Sequence, residues 1–190
     1  MIGVHDRRLH ARKCYVQKID SKTSKDFLDE NHIQGAVNAK ISLGLFSGAE
    51  LVSVMTFSKP RFSKKCEWEL LRFCNKCGCH IPGAASKLLS RFEKLARPHS
   101  ILSYADRRWS QGKLYYALGF GLDHASKPDY WYFDTNDHIL RSRLAFQKHK
   151  LKSLLEHYDP DISEVENMKA NGYHRIFDCG NLVFAKVYAS

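Results

Sequence analysis

The run Trp68-Glu69-Leu70-Leu71-Arg72-Phe73, followed by His80-Ile81-Pro82-Gly83-Ala84-Ala85-Ser86-Lys87-Leu88-Leu89, constrains this chain more than any other stretch. The first part is short, apolar and rich in large side chains, which predicts a buried strand. Past Gly83, residues Ala84, Ala85, Leu88, Leu89, Phe92 and Leu95 recur on one face at helical spacing, while Lys87, Ser90, Arg91 and Lys94 fall on the other. A glycine-bearing loop therefore carries the chain from a strand into an amphipathic helix. The first turn of a helix leaves backbone N–H groups without internal partners and carries the positive end of the helix dipole, so a small-residue loop there invites a phosphate. A second strand, Ser100 to Ala105, and a second helix holding Leu114-Tyr115-Tyr116-Ala117-Leu118-Gly119-Phe120 follow.

The rest of the chain supplies a sheet for that unit. Lys13 to Ile19 reads as a strand, and Asp20-Ser21-Lys22-Thr23-Ser24 as the cap region of a helix carrying Phe27 and Leu28. Asn31-His32-Ile33-Gln34-Gly35 breaks that helix. Lys40 to Phe46 and Glu50 to Phe57 form a hairpin through Ser47-Gly48-Ala49, and a basic loop with Lys59, Arg61, Lys64 and Lys65 comes next. Arg97-Pro98 ends the amphipathic helix, Ser110 is placed to cap the following one, and late strands are expected at Leu122 to Ala125 and Tyr130 to Phe133. From Thr135 onward the pattern predicts a helix over the basic stretch with Leu144, Leu151 and Leu155 buried. A capping box at Ser163-Glu164-Val165-Glu166 opens another helix, and Tyr173 to Phe177 and Leu182 to Val187 read as a hairpin through Asp178-Cys179-Gly180-Asn181. The fold class is α+β: a central mixed, mostly antiparallel sheet flanked by helices, over residues 1–134, with a basic helical and β-hairpin extension over 135–190 packed on it.

Thirty Lys and Arg against twenty Asp and Glu leave a net charge of +10, which favours a polyanion as partner. Between Asp137 and Glu156 there is no acid, while Arg141, Arg143, Lys148, Lys150 and Lys152 supply one sign of charge. Together with Arg107 and Arg108 they form the expected nucleic-acid contact, against the plainer alternative of a solvated helix face. No apolar stretch approaches the length of a membrane span and the first residues are charged where a leader would be apolar, so a cytoplasmic protein with reduced thiols is expected. Cys74, Cys77 and Cys79 follow a C-x-x-C-x-C spacing with no second ligand pair, so free thiols are expected there rather than a metal.

The strand-to-helix loop resembles that of the GNAT superfamily of N-acetyltransferases, whose Q/R-x-x-G-x-G/A loop starts the helix that cradles the acetyl-CoA pyrophosphate. Here His80-Ile81-Pro82-Gly83-Ala84-Ala85 matches, with His80 in place of the usual Gln or Arg. Tyr115 to Phe120 fits the Tyr-x-x-x-Gly-Phe pattern with which the superfamily often ends its next helix, and the resemblance runs from about Cys14 to Phe133. It implies the acetyltransferase fold, acetyl-CoA or another acyl-CoA as cofactor, and Tyr115 as the acid for the departing thiolate, unless that tyrosine merely packs. Asp106 and Glu69 are the carboxylates nearest the implied site and stand as candidate bases, with His32 behind them.

A second, narrower resemblance spans nearly the whole chain. Arg12-Lys13-Cys14, His32-Ile33-Gln34-Gly35, Ser103-Tyr104-Ala105-Asp106-Arg107-Arg108-Trp109-Ser110 and Asp178-Cys179-Gly180-Asn181 are similar to a bacteriophage domain often fused behind homing-endonuclease domains. It implies a phage or mobile-element setting in the infected host cytoplasm, and by analogy with Mom-type DNA-modification proteins a base in DNA as acceptor. The alternatives are a GNAT-like DNA-binding module without activity and a protein N-acetyltransferase.

Overall fold

The computed structural model describes residues 6–188 other than 62, 64, 135 and 138, so Lys64 and Thr135 lie outside the described residues. The chain forms two compact units: Met1–Ala105 with Gln111–His124 and Leu182–Ser190, and Asp106–Ser110 with Ala125–Asn181.

The first unit is built on a seven-stranded sheet. Its strands are β2 (Tyr15–Lys18), β3 (Ile41–Ser47), β4 (Glu50–Ser58), β5 (Trp68–Asn75), β7 (Ser100–Asp106), β8 (Gly121–Ala125) and β12 (Asn181–Val187), in the spatial order β2-β3-β4-β5-β7-β12-β8. The first four pair antiparallel, and β5 then pairs parallel with β7. A parallel neighbour requires a crossover, which helix α2 (Ala84–Ala96) provides. Two short parallel strands, β1 (Arg7–Arg8) and β6 (Cys79–His80), lie outside the main sheet.

Each face of the sheet has its helix. Helix α1 (Ser21–Asn31) is capped by Asp20, whose carboxylate accepts the Thr23 N–H at 2.8 Å, and packs Phe27 and Leu28 with Val54. On the other face α2 buries Ala84, Ala85, Leu88, Leu89 and Phe92 among Leu43, Leu45, Met55 and Phe57. The Phe92 ring stacks on Phe57 and meets Trp68 edge-on with centroids 5.2 Å apart, which fixes the helix over the organising strand. Helix α3 (Lys113–Ala117) is short and starts at Gly112, whose φ of 77° is left-handed. Ser110 was the expected cap; the N-cap position is Gly112, and the glycine makes the turn.

In the second unit β9 (Tyr130–Asp134) lies between β10 (Leu140–Ser142) and β11 (Tyr173–Phe177), antiparallel to both. Helices α4 (Lys148–Leu154) and α5 (Glu164–Ala170) complete it around Tyr132, Phe146, Leu151, Leu155 and Met168. The capping box at Ser163 and Glu166 is present. Two expectations fail here. The basic stretch is not one helix but β10, a 3-10 turn over Arg143–Phe146 and α4, and Leu144 is 53% exposed. The last two strands are not a hairpin either: β11 joins β9, while β12 enters the main sheet between β7 and β8.

Candidate functional site

Strands β5 and β7 are paired only from Trp68–Ile101 to Leu70–Ser103, yet β5 runs on to Asn75 and β7 to Asp106. They part after Leu70 and Ser103, in the middle of the sheet. At the same level the β4–β5 register shifts: Phe57 faces Leu70 and Thr56 faces Arg72, so Leu71 is an extra, bulged residue. Beyond the bulge the strand has turned over. Leu70 packs on the α2 face, whereas Arg72 reaches the opposite side and donates from Nε to the Gly35 carbonyl (3.1 Å) and from Nη1 to the Leu71 carbonyl (2.9 Å).

Tyr115 stands at the parting point. Its hydroxyl lies 3.0 Å from Ser103 Oγ, which donates to the Leu70 carbonyl at 2.8 Å, and it donates to the Tyr104 carbonyl at 3.3 Å. Phe184 stacks on the ring (4.8 Å, 16°) and Phe120 meets it edge-on. Burial pushes the Tyr115 hydroxyl above its ordinary value, against the opposing effects of Ser103 and Arg72, so it holds its proton at neutral pH. Tyr116 meets the same Phe184 ring edge-on (5.1 Å) and is 53% exposed.

Arg72 is the charge around which the neighbouring groups are set. Burial and then the Arg61 charge hold it below the ordinary arginine value, with Glu69 and Tyr115 acting the other way. Glu69 is buried, and its carboxylate accepts the Arg61 backbone N–H at 3.1 Å with the Arg61 guanidinium 3.6 Å away. A carboxylate taken out of water needs such partners to offset its lost hydration. Burial and then the Glu69 charge raise Tyr104. His32, just past α1, is pushed down to about 4 by burial and by Arg72, so it is neutral at pH 7. Its Nδ1 accepts the Gln34 N–H at 3.1 Å, which leaves the ring proton on Nε2. His32 thus presents a donor rather than a base. Ser103 and Arg72 were not among the expected site residues; a polar or charged residue inside an apolar run is the signal that marks each of them.

The expected phosphate loop has the expected start. Gly83 caps α2 with a φ of 82°, and the Ala84 N–H is taken by the Ile81 carbonyl and the Lys87 N–H by Gly83. That leaves the N–H groups of Ala85 and Ser86 at the positive end of the helix. A Cβ on Gly83 would lie 3.6 Å from Ala11 Cβ, an ordinary contact, so the left-handed backbone and not crowding requires the glycine. Ile81, Ala84 and Ala85 turn their side chains into the core. The carbonyls of His80 and Pro82 accept the N–H groups of Leu9 and Ala11, and Lys87 Nζ donates to the carbonyls of Ala11 (2.9 Å) and Cys14, binding the N-terminal segment to the loop and helix.

The remaining expected residues lie in the second unit. Asp106 ends β7, and Arg108 grips its carboxylate with Nε at 3.0 and 3.1 Å and Nη2 at 2.6 Å. Arg107 donates to the Cys179 carbonyl at 3.1 Å, Arg141 pairs with Asp137, and Arg143 pairs with Asp129 at 2.9 Å. Lys148, Lys150 and Lys152 follow one another along α4. Among the described residues no three His, Cys, Asp or Glu side chains are grouped to hold a metal ion, and no helix is long and apolar enough to cross a membrane.

No family model matches the chain, and no curated protein matches it. Solved structures do. A Bacillus subtilis acetyltransferase in complex with CoA is 18% identical and covers 93% of this chain and 99% of its own, with a TM-score of 0.50. The ribosomal-protein-S18-alanine N-acetyltransferase of Escherichia coli (9% identity, 93% and 95% coverage, TM-score 0.52) and a GNAT-family acetyltransferase of Bacillus cereus (14%, 93% and 99%, 0.50) align over the same extent. The mixed, mostly antiparallel sheet flanked by helices matches these structures, and the chain has the GNAT acetyltransferase fold.

Proposed function

We propose that the protein is an acyl-CoA-dependent N-acyltransferase of phage or mobile-element type whose acceptor is a nucleic acid. The observation that carries acyl transfer is the Tyr115 hydroxyl held on Ser103, the last β7 residue paired with β5, where the two strands open. The residues suit an acyl-CoA: the Ala85 and Ser86 N–H groups offer donors for a diphosphate, and the β5 backbone beyond Leu70 has no β7 partner and can receive an extended chain. An acyl-CoA brings an acyl group activated as a thioester. In the transfer a C–N bond forms, the C–S bond breaks, and the proton lost by the acceptor nitrogen is balanced by one delivered to the thiolate. Tyr115, protonated at neutral pH, is placed to supply the latter.

Calorimetric titration with CoA tests this reading. Wild type and Gly83→Asn, whose side chain tolerates a left-handed backbone, should bind, while Gly83→Glu puts a carboxylate at the diphosphate turn and should not. Wild type without CoA affinity refutes acyl transfer. A second reading, a nucleic-acid-binding module that keeps the fold without turnover, is favoured by the state of the candidate bases: Arg108 holds Asp106, Arg61 holds Glu69, and His32 presents a donor.

A further inference from the structure

The net charge of the chain does not lie in the unit that holds the basic stretch between Asp137 and Glu156. The second unit contains ten Lys and Arg and ten Asp and Glu, a net of zero, while the first contains twenty and ten and so carries the whole +10. Within the second unit Arg108, Arg141 and Arg143 are each paired with a carboxylate. Much of the first unit's charge is matched too, since Glu50 takes Arg7 and Lys76, and Asp26 and Asp29 take Lys22 and Lys25. Four of the first unit's other cations, Arg12, Lys87, Arg91 and Lys94, line one cavity.

A cavity of about 880 Å³ opens between the N-terminal segment, the Pro82-Gly83 turn with Ser86, and the outer face of α2 beyond it. Arg12 stands on one wall and Lys87, Arg91 and Lys94 on the other, and no acid lines it. Among the described residues Arg12, Arg91 and Lys94 have no carboxylate partner, and Glu93, the acid on α2 beside them, is occupied by Lys186 (2.8 Å) and the Tyr188 hydroxyl (2.6 Å). Lys87, Arg91 and Lys94 are spaced at i, i+4 and i+7, which sets a row of cations over about 10 Å of helix. Tyr15 and Val16 supply the apolar part of the lining. The Tyr15 ring stacks on Phe46 (5.4 Å, 13°) and is 50% exposed, a supported aromatic face open to a planar partner.

We infer that this groove binds single-stranded nucleic acid, with Arg12, Arg91 and Lys94 on phosphates and Tyr15 stacking on a base. A row of cations beside an open ring is the combination that holds a single strand without reading its sequence. The inference rests on the nucleic-acid partner in the proposed function and not on acyl transfer, and it moves that partner from the Arg141–Lys152 stretch to the first unit.

The test is fluorescence anisotropy of a labelled fifteen-nucleotide oligothymidylate over a range of salt concentrations. Arg91→Gln with Lys94→Gln should weaken binding at least tenfold and flatten the slope of log affinity against log salt by about 0.7 per lost contact. Tyr15→Ala should weaken binding and leave the slope unchanged, because stacking releases no counterions. Lys148→Ala with Lys150→Ala and Lys152→Ala should bind as wild type does. Unchanged affinity in both groove variants, or a loss confined to the lysine triple, overturns the placement. Displacement of the oligonucleotide by saturating CoA gives the groove to the cofactor and overturns it as well. If wild type fails to bind the oligonucleotide at all, the nucleic-acid partner itself is refuted, whatever the outcome of the CoA titration.

Discussion

Gly112 decides where Tyr115 sits, and its replacement by alanine separates two costs. The residue has a φ of +77°, and an added Cβ would run into Phe184, 2.6 Å from Cε2 and closer still to Cζ. Holding alanine in a left-handed conformation costs about 1 kcal/mol. Forcing an aromatic ring out of a packed position adds about 1–3 kcal/mol, and Phe184 is fully buried with Tyr115 stacked on it. Gly112→Ala should therefore destabilise by about 3 kcal/mol and lower the melting temperature by about 6–12 °C for a chain of this size. A double-mutant cycle with Phe184→Leu isolates the collision. The shorter side chain makes room for the Cβ, so the double variant should be more stable than additivity predicts by about 1–3 kcal/mol, with the backbone cost left over. Thermal melts of the four proteins, followed by near-ultraviolet circular dichroism, give the cycle. A melting temperature equal to wild type in Gly112→Ala, or strict additivity in the double variant, refutes the claim that the glycine is there to admit Phe184.

Tyr115→Phe removes only the hydroxyl at the parting point, so turnover should fall about 100-fold or more while the CoA dissociation constant from calorimetry stays nearly the same; equal turnover would make Tyr115 a packing residue. His32 has a native value of about 4 against 6.5 in the unfolded chain. Between those values the unfolded chain binds the extra proton, so this contribution to stability is complete above pH 6.5 and lost as pH falls toward 4, by about 1–2 kcal/mol once partial solvent screening is allowed for. His32→Gln should shrink the drop in melting temperature between pH 7.5 and pH 5, and an unchanged drop would show that the imidazole takes up its proton in the folded state. Phe92→Ala empties the ring that contacts both Phe57 and Trp68 and should cost about 3–5 kcal/mol in a denaturant titration; a loss under 1 kcal/mol would mean that α2 is not held by that ring.

The centre of the fold was legible because its signals are local. The strand at Trp68, the left-handed glycine at 83 and the apolar stripe from Ala84 to Phe92 lie within twenty-five residues of one another, and each dictates its neighbour's conformation. The failures involve partners distant in sequence. Asp178-Cys179-Gly180-Asn181 has the composition of a hairpin turn, but Gly180 is glycine because its backbone presses on the Ser126 carbonyl, more than fifty residues back, and no local pattern records that approach. Arg143 reads as part of an unopposed basic run until folding brings Asp129 to it. Likewise Glu69 was identifiable as a carboxylate on the central strand, while its partner Arg61 comes from the loop before that strand and its electrostatic neighbour Arg72 from beyond a bulge that sequence periodicity does not announce.

That bulge has a consequence for how the chain can be edited. Leu70 and Phe73 pack on the α2 face and Cys74 on the α1 face, a parity that holds only because Leu71 is counted out of the strand. Excising Leu71 would leave every other side chain of β5 on its present side and let the ladder with β4 run unbroken, at a cost of about 1.5–3 kcal/mol for one buried leucine. Inserting a residue anywhere else in the strand would invert everything beyond it, exposing Phe73 and driving Arg72 into the apolar core. A central strand, ordinarily the part of a sheet least tolerant of a change in length, here has one dispensable position, at the level where β5 and β7 separate.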